Sequence, residues 1–565
     1  MISGLATSPS TTRPDPNEGL PYKRTDVRRS NIHVALLLGD IVRPTLGPKG
    51  SGKLYLDYLD NAVPTRDGMS ILEELEVQDP VARLLVKGVR AHFAEIHDGT
   101  KTAILYASEL LRHARNLLDQ GLHPVKIIEG YKRAYALTLD VIRQIGLPIT
   151  GIDSRTIDDV VFTTVRGADE DWKLHVASLA VRAIRQIAQR AHNGWTVDLD
   201  KIKIVSLTGG AVFDSFLIEG LAIDKEILRE DMPQSVERAK ILLTVSLQIK
   251  QPTQKLTFDI RSPSLLPGLL RTEADYRRYA VRLIKQTGAN VVFCHRGVDN
   301  QVMEGLARVG VLAVRRVKWL DMARLVSLTG ARLRSGLLGM SKSDLGRARR
   351  VFQKTVGQEK FVYVEGQKAN VASVFMRGGF RYSADNAEKL FSSALEVASS
   401  LLNNGALLGG GGAFEMCMAT RLRQFSRRVS GKEQMAIDAF ASSLEDLPKA
   451  LVENSGLNPQ SVLGNLRKAH SRPNSNWFGF DARSGELVDT RKKGILESAK
   501  VKKQALATGM ELAITLLRVD DILLRRTLEK QIPAGHPRGP LIHEGDHMKD
   551  EIEPEHEDID EHQQH

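Results

Sequence analysis

The 565-residue chain contains only two cysteines, Cys294 and Cys417. Far apart in sequence, they argue against a disulfide framework and for a reducing compartment. Aromatic residues make up 5% of the chain. They are not interleaved with basic residues in the recurrent way that single-strand nucleic-acid binders use. No run of about 18 apolar residues occurs, so no membrane-spanning helix is expected. The opening stretch MISGLATSPSTTRPDPNEG has no charged segment followed by an apolar one. It reads as a flexible arm of residues 1–20 rather than a secretory signal, and the expected location is cytoplasmic.

The formal net charge is +11, and it is unevenly placed. From Pro533 to His565, Arg538 and Lys549 face ten Asp and Glu residues, so this tail carries −8 and the remainder +19. The basic charge is dispersed, largely as pairs such as Arg315-Arg316, Arg349-Arg350 and Arg427-Arg428. That pattern suits a solvated surface more than a nucleic-acid footprint. The tail (533–565) is polar, acidic and carries six histidines at irregular spacing. It reads as a disordered segment rather than a metal site.

Apolar residues recur at i, i+3 and i+4 over 31–45, 70–90, 101–119 and 124–146, which predicts helices. Lys53 to Thr65 reads as a short strand pair turning at Asp60-Asn61. From about residue 202 the texture changes. Strand-like runs at Ile202, Ala239, Ala289, Val311, Phe361 and Val371 alternate with helical segments at 273–286 and 300–309. From 385 to about 530 the chain is helical again. The order helical, α/β, helical is compatible with an α/β module inserted into a helical domain, or with three consecutive domains.

Four backbone-rich turns stand out: T45-L-G-P-K-G50, R66-D-G68, D98-G-T-K-T102 and G409-G-G-G412. Asp98-Gly99-Thr100 heads a long apolar-periodic run. Asp98 or Thr100 can be a plain N-cap there, or the helix start can receive a phosphate. None of the four fits a Walker A loop or the dinucleotide fingerprint. Together they can build a nucleotide–metal site, with amides around phosphates and carboxylates on Mg²⁺.

These blocks, with L217-I-E-G, T287-G-A-N-V-V-F-C, V314-R-R-V, T329-G-A-R, R377-G-G, G410-G-G-A-F-E and V501-K-K-Q-A, resemble group II chaperonins, the family of the archaeal thermosome and the eukaryotic cytosolic chaperonin. They run in family order from about residue 22 to 525. The resemblance implies an α+β multidomain subunit of a double ring with about eight subunits per ring, homomeric or mixed, that binds ATP and non-native client proteins. The implied domains are a helical equatorial domain (21–157 and 406–532), an α/β intermediate domain (158–217 and 369–405) and an α/β apical domain (218–368) with a helical protrusion.

By the same resemblance Leu46, Gly47 and Pro48 line the phosphates. Asp98 holds Mg²⁺, and Gly99, Thr100, Lys101 and Thr102 wrap the phosphates. Gly410, Gly411 and Gly479 lie at the nucleoside, and Glu497 takes the ribose. Asp67 stands by the attacking water. Leu265, Leu266, Leu269 and Leu270 give the protrusion, a built-in lid, an apolar face for clients.

The chain departs from the family pattern at several positions. Its water-orienting Asp is Ser393 here, with Glu396 the nearest carboxylate. The Gly before Asp98 is His97, and a Thr of the phosphate loop is Lys101. A γ-phosphate-sensing lysine has only Arg166 nearby. A subunit that binds ATP but hydrolyses it slowly or not at all is therefore expected, because a serine is no comparable base. The alternative expectation is a chaperonin-like scaffold or regulatory subunit in a mixed ring.

Overall fold

The computed structural model describes residues 24–56, 62–75, 79–149, 155–165, 171–191, 194–227, 229–248, 266–336, 340–368, 370–403, 405–472 and 475–520. All of these belong to one compact unit. The side chains of 266–276 fall outside the description. Leu265 and the lid side chains of Leu266, Leu269 and Leu270 thus lie outside the described residues, as do Arg166, the Asp60-Asn61 turn and the acidic tail. The architecture mixes helices and strands.

The chain opens with α1 (Arg24–Val42), an antiparallel pair of strands (Lys53–Leu56 with Ala62–Thr65), α2 (Gly68–Glu73), α3 (Pro80–Ile96), α4 (Thr100–Asp119) and α5 (Pro124–Ile145). The single helix expected over 70–90 is in fact two, α2 and α3. Asp79 explains the break. Its carboxylate accepts from the amides of Val81 and Ala82, and Pro80 sits in the first turn of α3, where its missing N–H costs nothing. Periodicity carried across this junction, whereas cap chemistry cut it.

α6 (Arg155–Val165) and α7 (Asp171–Ile187) pack with α11 (Arg381–Leu402) on a three-stranded sheet. Its central strand, Ala372–Gly378, runs parallel to Ile202–Thr208 and antiparallel to Phe216–Glu219. Between these strands in sequence lies a seven-stranded mixed sheet centred on Ser235–Thr244. Val291–Cys294 joins it in parallel and Gly346–Val356 antiparallel. α8 (Leu266–Thr287), α9 (Asn300–Arg308) and α10 (Trp319–Thr329) accompany this sheet. Its strands are apolar on consecutive residues: Val291, Val292, Phe293 and Cys294 are all buried, as a strand covered on both faces requires.

α12 (Ala413–Ser426), α13 (Lys432–Asn454), α14 (Pro459–His470) and α15 (Ala499–Arg518) complete the described chain. They return to the first helices. α4 packs against α1, α13 and α15 and is buried on nearly every turn. A three-stranded antiparallel sheet ties distant segments of the chain together: Leu147–Pro148, Ala406–Gly409 and Leu496–Ser498. The two sequence ends of the described region thus share one helical layer, with the α/β segment of the chain between them.

One buried ion pair ties α10 to the three-stranded sheet. Lys203 Nζ donates to Asp321 Oδ2 at 2.6 Å, both side chains nearly inaccessible. Arg324 donates to the carbonyls of Asp200 and Ile202 beside it. Replacing Asp321 by Ala strands a buried ammonium, at a cost of about 3–5 kcal/mol. Asp321→Ala should therefore unfold at clearly lower urea concentration than the native chain, with protease cleavage appearing first around residues 200–330.

Candidate functional site

A cavity of about 990 Å³ opens where the early and late helices meet α7 and α11. Leu46, Gly47, Pro48, Asp67, Asp98, Gly99, Thr100, Lys101, Thr102, Ser393, Gly411 and Glu497 all line it. Gly410 and Gly479 stand behind its wall instead. A Cβ on Gly479 would lie 2.6 Å from the Gly410 carbonyl oxygen, so the two glycines allow this strand and turn to touch.

Local chemistry explains each wall. Thr45 Oγ1 donates to Val42 O at the end of α1. Asn454 Nδ2 donates to both Arg43 O and Leu46 O at 2.9 Å, pinning the Leu46 loop to α13. Gly47 has φ +81°, and a Cβ there would sit 2.5 Å from Leu451. Gly99 has φ +77° and serves as the N-cap of α4 with no side-chain cap bond. Asp98 therefore does not cap the helix in the ordinary way: its Oδ1 accepts from Gly99 N at 2.6 Å. Gly412 likewise begins α12 without a side-chain cap. Asp67 is different, a true N-cap whose Oδ2 accepts from Ser70 N at 2.7 Å. Two uncapped helix starts at one cavity present amide donors and positive dipole ends, which suit an anion.

Asp67 and Asp98 supply hard oxygen ligands beside those amides. Among the described residues no three His, Cys, Asp or Glu side chains form a metal site by themselves. A divalent ion held here would draw further oxygens from its ligand, which is how Mg²⁺ usually binds alongside phosphates. The donor set, the glycine cradle and the cavity size all fit a nucleoside polyphosphate with its metal.

At the opposite wall Leu408 pairs with Glu497 across the three-stranded sheet. Lys502 Nζ lies 2.6 Å from Glu497 Oε2 and 2.6 Å from Glu415 Oε1. Tyr106 Oη donates to the same Glu415 oxygen at 2.8 Å. Burial opposes the charge on Lys502, but the two carboxylates outweigh it and hold its pKa above the ordinary lysine value. Glu415, Lys502 and Asn454 are cavity or wall residues to which motif reading gave no role. Glu415 and Lys502 fall inside the G410-G-G-A-F-E and V501-K-K-Q-A blocks, but spacing alone did not pair them.

The departures from the family pattern meet in space. Ser393 Oγ on α11 donates to His97 O at 2.7 Å. His97 ends α3 in the left-handed region, φ 56°, which a non-glycine residue adopts at a cost of roughly 1 kcal/mol. Its Nδ1 lies 3.8 Å from Glu396 Oε1, beyond hydrogen-bond reach, and Glu396, the carboxylate nearest Ser393 in sequence, is not among the residues lining the cavity. Lys101 Nζ donates to Thr45 O at 3.0 Å. Burial pushes its pKa down to about 8, against the pull of Asp67 and Asp98.

Lys502→Met should leave Glu415 and Glu497 facing each other without a cation, and lower the thermal midpoint by several degrees for a loss of about 3–5 kcal/mol. Adding Glu415→Gln should recover part of that loss, a non-additivity visible in a double-mutant cycle. His470 gives a pH dependence. It donates to Phe478 O at 2.7 Å and holds the hairpin carrying Gly479. Burial depresses its pKa despite that bond. The unfolded state then takes up a proton before the folded one. This contribution is complete above the ordinary histidine value and is lost as pH falls below it. Denaturant midpoints should drop between pH 7.5 and 5.5, and less so in His470→Gln.

The family model for the TCP-1/cpn60 chaperonin family matches residues 38–527. Thermosome subunit alpha of Archaeoglobus fulgidus is 37% identical over 518 residues, covering 91% of this chain and 95% of that one. Thermosome subunit beta of Thermococcus kodakarensis is 37% identical over 517 residues, covering 91% and 94%. A thermosome subunit of Methanopyrus kandleri is 37% identical over 508 residues, covering 89% and 93%. With glycine turns and carboxylates converging on one cavity and a match across nearly its whole length, this chain belongs to the TCP-1/cpn60 chaperonin family as a group II chaperonin.

Proposed function

We propose that the chain is an ATP-binding subunit of a double-ring chaperonin that takes up non-native protein, and that it turns ATP over slowly. The observation that carries this reading is the cavity itself. The Leu46–Pro48 loop, the uncapped start of α4 and Glu497 line it, while the position facing that start from α11 is a serine engaged with His97 O.

In this reading the amides of residues 99–102 and the Leu46–Pro48 loop bind the phosphates, Asp98 holds Mg²⁺, and Glu497 accepts from the ribose. Bound Mg²⁺ would screen the phosphate charge and polarise the phosphoryl group to be transferred. Asp67 stands where a water is oriented. It is already committed to the Ser70 amide, so the second carboxylate that Ser393 replaces is the missing part. The Ser393 hydroxyl holds the His97 backbone and does not activate water. General-base losses cost about 10²–10⁴ in rate.

The runner-up is a regulatory or scaffold subunit within a mixed ring, favoured by the same serine. Steady-state hydrolysis with parallel nucleotide titration tests both. ATP should bind with turnover far below that of a Ser393→Asp, His97→Gly variant. Ser393→Asp alone should restore less, because its carboxylate would face the His97 carbonyl oxygen that the serine hydroxyl now satisfies. Rapid hydrolysis by the unmodified chain would refute the slow-turnover reading. Refolding of a denatured client by homomeric rings would refute the scaffold alternative.

A further inference from the structure

The cavity carries a cation of its own. Lys101 sits in the first turn of α4, and its stem passes Gly68 so closely that a Cβ there would lie 2.7 Å from Lys101 Cγ. The ammonium reaches back to the Thr45 carbonyl, which precedes the Leu46–Pro48 loop. Lys101 therefore bridges two of the glycine turns that form the anion cradle. An ammonium has three N–H donors, and among the described residues its only hydrogen-bond acceptor is Thr45 O. The charges that act on it are Asp67 and Asp98, which attract it, and Arg66 and Lys173, which repel it.

Two carboxylates beside an anion cradle create a difficulty. A polyphosphate entering there meets like charge, and a divalent cation ordinarily relieves that repulsion. Here a fixed ammonium stands in the field of both carboxylates, with donors left for phosphate oxygens. Lys502, the other deeply buried lysine of the wall, cannot serve, because Glu415 and Glu497 already hold it. Arg66 and Lys173 also line the cavity, but Lys101 is the lysine whose ammonium is fixed between two of the turns.

We propose that Lys101 is a resident counter-cation of the cradle, so that this subunit retains a nucleoside polyphosphate when divalent metal is withdrawn. The proposal rests on the nucleotide reading of the cavity and adds to it a ligand-holding state that does not depend on Mg²⁺. Such a subunit would keep its site filled between rounds of metal-dependent turnover by others in a mixed ring.

Calorimetric titration of the full-length chain with a non-hydrolysable ATP analogue, in Mg²⁺ and in EDTA, tests it. The native chain should weaken by less than about tenfold when Mg²⁺ is removed, whereas Lys101→Met should weaken by about a hundredfold or more, as loss of a close charge partner in a shielded site implies. Lys101→Gln keeps a donor for Thr45 O but has no charge. It should follow the Met variant in EDTA, which separates the charge from the brace between the loops. Inorganic tripolyphosphate should show the same tolerance of EDTA as the nucleotide, since the counter-cation acts on phosphate. A native chain as metal-dependent as Lys101→Met overturns the proposal. So does a Gln variant that behaves like the native chain, or a Met variant that fails equally with Mg²⁺ present. Absence of binding by the native chain in both conditions would instead refute the nucleotide reading.

Discussion

The constraint on which the site depends is the charge balance at the Lys502 ammonium. Two carboxylates, from the first turn of α12 and from the strand before α15, converge on one buried cation. Tyr106 of α4 joins through Glu415. Three elements far apart in sequence are thus fixed to a single point. Buried charges tolerate little displacement, because each loses water and must recover that loss from a partner at close range. The turn from Gly409 to Gly412 and the start of α4 are held against this point. An anion cradle made of backbone amides works only when its amides are already in place, and this network is what places them.

The second organising feature is a trade at the other wall. A serine hydroxyl on α11 satisfies the carbonyl of a left-handed histidine just before Asp98. The imidazole Nδ1 lies 3.8 Å from the Glu396 carboxylate without a hydrogen bond to it. Of these contacts only the serine-to-carbonyl one is a hydrogen bond, and it commits the Ser393 hydroxyl to the backbone. Lys101 adds an ammonium to the same cavity, bonded to the Thr45 carbonyl.

Much of this was legible from residue patterns, and some was not. Helical periodicity located α4 and α5 to within a residue, because each presents an apolar stripe to one shared core, and found α1 while placing its start seven residues late. It failed between residues 70 and 90, where Asp79 and Pro80 end one helix and begin another without disturbing the apolar spacing. The glycine turns were recognisable by motif. Which glycines face the cavity was not, since the packing of Gly479 against the Gly410 carbonyl, and the left-handed turn at Gly411, appear only in three dimensions.

By itself the sequence determined the family, the helical–α/β–helical order and the identity of the carboxylates and glycine turns that could meet. These are local properties, written in spacing and in residues with special backbone freedom. Only the tertiary structure decided that Ser393 is bonded to His97, that Glu396 does not line the cavity, that Lys101 reaches Thr45, and that Glu415 and Lys502 complete the wall. Each of those facts joins residues roughly 50 to 300 positions apart. Such pairings are set by how helices pack and which buried charges must be matched, and no local pattern records them.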